Sequence, residues 1–383
     1  MAATRIALVY DCVYPATVGG AERWLTQLAE ALGRQHEVTY VTRRQWARGQ
    51  SPIPGVECVA AAPRLGLYAR SGRRRLLPPL LFGVGTFLHF ARRRGHYDVV
   101  HCLSYPFLPL IAVRLALART PTRVTCEWLE CLTDGYWRSY GGGAGRTARW
   151  LQKVCIRLTP EALVFSPHTA RRLRESGFSR PVRLLGGLAS VPRSLSPSLA
   201  ERAPLVVFAG RLVPDKRAGA VPDAVAVARR HRPDLRAVIA GDGPDRPRVL
   251  DRIDDLGLSA AISAPGFVDA AALERLLARA SCVVAPSRRD GFGMVVAEAA
   301  SFGTPVVVCP GPDNAAGERV IEGVNGALAA DASAEELGSA ILRVLDGGEE
   351  LRHATARWFS AHREELTIER SIESARRLYE APA

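Results

Sequence analysis

Two acids around a glycine-broken turn carry the most chemistry in this chain of 383 residues. Asp290 and Glu298 are separated by seven residues, on either side of Gly291-Phe292-Gly293. An apolar run, Ser281–Ala285, leads into the turn, a short helix begins at about Met294, and a second strand starts at Pro305, which makes one βαβ unit. Between Gly291 and Pro312 the only charged side chain is Glu298. Its neighbours Met294, Val295, Val296, Ala297, Ala299, Ala300 and Phe302 leave the helix no polar face, so burial on most sides is expected. The turn offers backbone N–H groups at a helix N-terminus, where orphan donors and the dipole favour an anion such as phosphate. Like charge keeps both carboxylates off that anion, so hydroxyls suit them, a sugar beside Asp290 and a ribose beside Glu298. The plainer alternative is that Asp290 caps the helix and Glu298 pairs with a distant arginine.

The cations such an anion needs stand in Phe208-Ala-Gly-Arg-Leu-Val-Pro-Asp-Lys-Arg217. Arg211 and Lys216 lie five apart across a proline turn and can both face one anion from a loop. No Asp-x-Asp occurs, so no metal is expected to bridge a diphosphate. Gly19-Gly20 follows the first strand and precedes a helix, where glycine lets a phosphate or sugar approach the backbone; an ordinary loop pair is the equal alternative. Gly241-Asp-Gly-Pro244 and Pro265-Gly-Phe-Val268 follow successive strands.

The stretch Ala285–Val308 resembles the signature of glycosyltransferase family 4, whose pattern is two acids separated by seven residues around Gly-Phe-Gly. The resemblance implies an α/β chain of the GT-B fold, two Rossmann-like domains facing each other across a cleft. It also implies a retaining transferase that uses a nucleotide sugar without a metal or any further cofactor. Asp290, where the family usually has Glu, then lies against the donor sugar, and Glu298 binds the ribose. Arg211 and Lys216 take the donor phosphates, together with Gly291, Phe292, Gly293, Met294 and Val295 at the helix end. Gly19 and Gly20 close over the diphosphate or the acceptor, Gly241 lies in a turn near the donor, Phe267 and Val268 offer their backbone to the base, and Gly311–Asn314 closes beside the sugar. The family usually has a His-Asp pair after a central first-domain strand. Here that run is Val124-Thr-Cys-Glu-Trp128, so Glu127 is the candidate polar contact or general base, with His101 nearby. A UDP-sugar is the favoured donor and a GDP-sugar the next. The acceptor is a small molecule, a glycan or a lipid. Rivals are an epimerase or phosphorylase of the same fold and a nucleotide-sugar-binding protein without catalysis.

The elements that must position these residues fit two domains of ordinary size. With 48% hydrophobic and 23% charged residues the composition is globular. Apolar runs at Ile6–Tyr10, His36–Thr42, Asp98–Leu103, Thr122–Cys126 and Ala162–Phe165 read as strands of one parallel sheet. Leu205–Ala209, Leu235–Ala240, Ile262–Ala264, Ser281–Ala285 and Val306–Cys309 read as a second. Ser190–Pro204 has linker composition, which sets domains at 1–192 and 203–360, with a last helix over 361–383 expected to return to the first. Gly143-Ala-Gly-Arg-Thr-Ala148 spells a dinucleotide fingerprint but follows no strand, so a mobile loop is expected at Gly141–Gly145.

The eight cysteines form no Cys-x-x-Cys pair and read as reduced core thiols. A net charge of +13 carried almost wholly by arginine, without an aromatic-interleaved stripe, argues against nucleic acid. The N-terminus reads as a strand rather than a secretion signal, and the location expected is cytoplasmic. Arg70–Arg94 places arginine triplets around Leu76–Phe90. A core helix with solvated basic ends is the preferred reading, and a patch resting on anionic lipid at the inner face of a membrane is the other.

Overall fold

The computed structural model describes residues 3–47, 49–66, 75–140, 142–189 and 203–380. Two compact units emerge, Met1–Leu188 with Ile368–Ala383, and Ala189–Thr367.

In the first unit seven strands form one sheet: β1 (Arg5–Val9), β2 (Glu37–Arg43), β3 (Glu57–Ala62), β4 (Val99–Leu103), β5 (Arg123–Trp128), β6 (Ala162–Val164) and β7 (Val182–Leu184), in the order β3-β2-β1-β4-β5-β6-β7. Its helices are α1 (Gly20–Leu32), α2 (Leu77–Arg92), α3 (Phe107–Ala116), α4 (Asp134–Tyr140), α5 (Gly142–Leu158) and α6 (Pro167–Glu175). All pairings are parallel, as continuous apolar strands between helices require. The edge strands β3 and β7 escaped the sequence reading: β3 begins on Glu57 and is half alanine, and Arg183 interrupts the three residues of β7.

The second unit holds β8 (Leu205–Ala209), β9 (Arg236–Ala240), β10 (Ile262–Gly266), β11 (Cys282–Ala285), β12 (Val306–Val308) and β13 (Gly326–Leu328), ordered β10-β9-β8-β11-β12-β13. Its helices are α7 (Val221–Arg229), α8 (Arg246–Asp255), α9 (Ala270–Arg279), α10 (Met294–Ser301) and α11 (Ala334–Leu366), and the chain ends on α12 (Ile368–Glu380) in the first unit. Alternate residues of each strand feed opposite faces. Val206, Phe208, Cys282 and Val284 join one core, while Leu205, Val207, Val283 and Ala285 join the other.

Three expectations are corrected. The glycine-rich run after Tyr140 is not a loop: Gly142–Leu158 is helical, and a Cβ at Gly145 would collide with the Trp137 carbonyl. That glycine lets α5 lie against α4. The helix expected from Ala361 is two helices: Ala361–Leu366 completes α11, the chain turns extended at Thr367, and only α12 belongs to the first unit. Finally, α2 is a core helix on one face only. It buries Phe82, Thr86 and Phe90 but leaves Leu76, Leu80, Val84, Phe87 and Leu88 exposed. Most of Ser190–Pro204, and Arg70, Arg73 and Arg74, lie outside the described residues.

Seven of the eight cysteines are buried, all are free, and burial pushes the Cys282 thiol up to about 12 and Cys309 to about 11. Among the described residues no helix is long and apolar enough to cross a membrane.

Candidate active site

Strand order fixes where a site can form. In the second sheet β8 lies between β9 and β11, so the chain leaves β8 to one side and later returns to its other side. Loops that leave strands at such a reversal diverge and open a crevice at the carboxyl edge. Arg211 and Lys216 stand in the loop after β8, and Asp290 in the loop after β11.

These two loops meet. Lys216 Nζ donates to Asp290 Oδ2 at 2.6 Å, and the Arg288 amide donates to the Asp215 carbonyl at 2.8 Å. Arg289 and Asp215 add an ion pair at 3.5 Å. Asp290 Oδ1 accepts from the Phe292 and Gly293 amides at 3.1 and 2.6 Å. Burial pushes the Asp290 carboxyl up, but the Lys216 charge and these hydrogen bonds outweigh it and hold the group below its ordinary range. Asp290 thus closes the turn before α10 rather than capping the helix, whose N-cap is Gly293 with no side-chain cap. Two of the amides expected to be open to an anion are filled by Asp290 itself. Those of Met294 and Val295, in the first helical turn, have no preceding turn to bond to.

Arg211 is exposed and its side chain makes no hydrogen bond or ion pair among the described residues. Of the two cations expected to face the anion, Lys216 is thus engaged and the Arg211 side chain is free.

Helix α10 is less enclosed than its sequence implies. Val296, Ala297, Ala299 and Ala300 are buried, whereas Met294, Val295 and Glu298 are only half-buried. These three recur at helical spacing and share one open face. Gly293 has φ of +78°, and a Cβ there would come within 2.8 Å of Ala316, so only glycine fits. Asn314, expected beside the sugar, and Arg319, which sequence reasoning missed, hold this turn from below. Asn314 donates to the Ser287 and Cys309 carbonyls, both at 2.8 Å, and accepts from the Ala316 amide at 3.0 Å. Arg319 donates to the Phe292 carbonyl at 2.6 Å while its guanidinium lies 3.7 Å from the Phe292 ring centroid. Burial lowers Arg319 to about 10. Nothing local in the sequence marks the role of Arg319, which acts across 27 positions.

The glycines after β9 have a packing reason. A Cβ on Gly241 would strike the Gly210 carbonyl, and one on Gly243 the Leu212 carbonyl. Leu212 N donates to Asp242 O at 2.9 Å, which binds this turn to the Arg211 loop. Phe267, at the end of β10, is 63% exposed, and Val268 is half-buried.

In the first unit the reversal lies between β1 and β4, and Gly19-Gly20 leaves β1 there. Gly19 is extended, with φ −174°, and a Cβ on it would strike the Glu22 carboxylate. Glu22 is thereby placed over the helix start, which the sequence reading left open to phosphate.

Glu127 and His101 do not fit the roles expected of them. Both side chains are fully enclosed. Glu127 Oε2 accepts from Trp24 Nε1 at 2.7 Å and bonds His101 Nε2 at 2.9 Å, while His101 Nδ1 bonds the Tyr379 hydroxyl. Neighbouring residues of a strand point to opposite faces, and these two point inward, toward α1 and α12. A base for an incoming hydroxyl must touch it, and neither residue does so from the core.

Comparison with known proteins identifies the family and the fold. The profile described as "Glycosyl transferase 4-like domain" matches residues 19–185, and "Glycosyl transferases group 1" matches 195–357. Over 215 residues the chain is 26% identical to alpha-D-kanosaminyltransferase of Streptomyces kanamyceticus, covering 53% of this chain and 55% of that one. Over 144 residues it is 34% identical to glycogen synthase of Mycobacterium tuberculosis, covering 37% and 34%. The chain thus spans about half or less of the length of these relatives. Among solved structures, sucrose-phosphate synthase from Thermosynechococcus elongatus superposes with a TM-score of 0.78 at 19% identity over 98% of both chains. Anabaena HepE, solved with UDP and glucose, gives 0.73 at 18% identity over 99% of this chain and 100% of that one. Both likenesses place the fold in the GT-B class. With one profile on each of its α/β units, the chain belongs to glycosyltransferase family 4.

Proposed function

We propose that this chain moves a sugar from a nucleotide diphosphate sugar to an acceptor hydroxyl, with retained configuration and without a metal. The observation that carries the reading is the convergence at the β8/β11 reversal of a free arginine, a lysine held by an acid, and a helix start. A departing nucleoside diphosphate develops negative charge that needs cations placed in advance. Arg211 supplies one at no cost, and Lys216 supplies a second when it swings from Asp290 to phosphate. The open face of α10 gives the ribose a carboxylate in Glu298, and exposed Phe267 gives the base an apolar neighbour.

Because Glu127 and His101 are enclosed, the acceptor proton needs another destination, and the leaving diphosphate is the base at hand. The bond from the anomeric carbon to the phosphate oxygen breaks, the acceptor oxygen bonds that carbon on the same face, and its proton passes to the diphosphate. UDP is the favoured nucleotide, since the neighbour solved with it shares this fold, and GDP is the alternative. The acceptor is a small molecule, a glycan or a lipid, and the site of action is the cytoplasm, at the inner face of a membrane.

The enclosure of Glu127 and His101 also supports a second reading, nucleotide-sugar binding without transfer. Calorimetry with UDP and GDP, followed by a donor-consumption assay with UDP-glucose and GDP-mannose, separates the two. Transfer requires binding and slow donor hydrolysis, with Arg211→Ala weakening binding about tenfold or more, the worth of one charged contact. Binding without consumption of any donor leaves the second reading, and binding of neither nucleotide removes both.

A further inference from the structure

Helix α2 carries two apolar faces. One, with Phe82 and Phe90, belongs to the first unit's core. The other is a stripe of Leu76, Leu77, Leu80, Val84, Phe87 and Leu88, with Leu76 77% exposed, Leu80 and Val84 52% each, and Phe87 40%. These positions recur at three, four and eight residues and form one continuous ridge. Apolar side chains scattered singly on a surface need no explanation, but a contiguous ridge on one helix does.

Charge identifies what covers it. From Cys58 to Tyr97 the chain has eight arginines and no Asp or Glu. Arg75 at one end of the ridge and Arg92, Arg93 and Arg94 at the other are exposed. The asymmetry extends to the whole unit: Met1–Leu188 with Ile368–Ala383 holds 30 Lys and Arg against 14 Asp and Glu, a net +16. The second unit, with 21 against 24, is at −3, so the entire positive excess lies on the unit that exposes the ridge. Helix α3 packs against both α2 and α5, and α5 repeats the pattern on its own surface. Trp150, 62% exposed, stands there between exposed Arg146 and Lys153.

We propose that the α2 ridge is a docking surface for an anionic lipid bilayer. The helix lies in the plane of the interface, its leucines and Phe87 among the acyl chains, its terminal arginines on the headgroups. A second copy of this chain is a poor occupant, because two faces on units of +16 would meet. A bilayer with negative headgroups matches both the apolar stripe and the basic rim. The inference rests on the membrane-side location read above and not on the transfer chemistry.

Sedimentation of the full chain with vesicles tests it, using phosphatidylcholine alone and phosphatidylcholine mixed with phosphatidylglycerol, at low and high salt. The anionic vesicles are expected to bind at least tenfold better, with binding weakened by salt and by about fivefold for each of Arg92, Arg93 and Arg94 replaced by Gln. Leu80→Glu with Leu88→Glu should abolish it. Circular dichroism and UDP binding, measured on every variant, show whether the fold and donor site are intact, so loss of docking is told apart from failure of the nucleotide reading. Equal binding to both vesicle types, or full binding by the intact Leu80→Glu/Leu88→Glu protein, overturns the proposal. So does a dimer in gel filtration that this double variant dissolves while vesicles are ignored, which would assign the ridge to a second copy.

Discussion

The Lys216–Asp290 pair allows opposite effects to be predicted from its two halves. Its side chains are 26% and 17% exposed and the contact is 2.6 Å. A hydrogen bond between charged groups contributes about 1.5 to 3 kcal/mol, and partial exposure moves this pair to the lower end, about 1.5 kcal/mol. If a diphosphate takes Lys216 away from Asp290, the wild-type protein must break that bond in order to bind. Asp290→Asn removes the competitor, so UDP should bind as well as or up to about tenfold more tightly, while turnover falls. Lys216→Met removes the cation, so UDP should bind about tenfold more weakly or worse. Isothermal calorimetry on the two single variants and the double variant closes the cycle. Were Asp290→Asn to weaken UDP as much as Lys216→Met does, lysine exchange would be refuted and the pair would be a fixed brace. The same pair sets a pH dependence. The folded Asp290 titrates below its ordinary value of 3.8, so its stabilisation is complete above that value and is lost as pH falls through the lower, folded one. Chemical denaturation between mild and strong acid should therefore show a shallower decline for Asp290→Asn.

Three further perturbations are informative. Gly293→Ala forces a side chain into positive φ and against Ala316, so a loss of about 1 to 3 kcal/mol is expected in urea unfolding, with weaker UDP binding. Glu127→Gln should keep donor consumption within a few-fold of wild type, since Glu127 braces Trp24 and His101 from the core; a drop of about a hundredfold or more in the rate assay would restore it as a base. Arg352 is buried and donates to the Ala280, Ala278 and Phe302 carbonyls at 2.6, 3.1 and 3.3 Å, so Arg352→Met should cost about 3 kcal/mol by chemical denaturation.

Much of this was legible in residue order. Runs such as Leu205–Ala209 declare strands because a parallel sheet buries both faces, and Asp290 through Glu298 declare a turn and a helix because glycines and a lone acid have few other uses there. What escaped is what depends on partners distant in sequence. That Arg319 would brace Phe292 and that Glu127 would face Trp24 are outcomes of packing, and no local spacing encodes them. Strand β13 escaped for a related reason: three residues beginning with glycine carry no period, and only β12 makes them a strand. The outward ridge of α2 was misjudged because an all-apolar helix normally implies enclosure.

The placement of α12 imposes an order on synthesis. The chain leaves the first unit after Leu188 and rejoins it at Ile368, so all 179 residues of the second unit are made in between. At about 5 to 20 residues per second that interval lasts on the order of ten to forty seconds. Through it the nascent first unit waits without Tyr379, the hydroxyl that meets His101 in the finished core. The first unit is therefore completed only after the second, and a ribosome stalled past Thr367 would hold a complete second unit while the first still lacked α12.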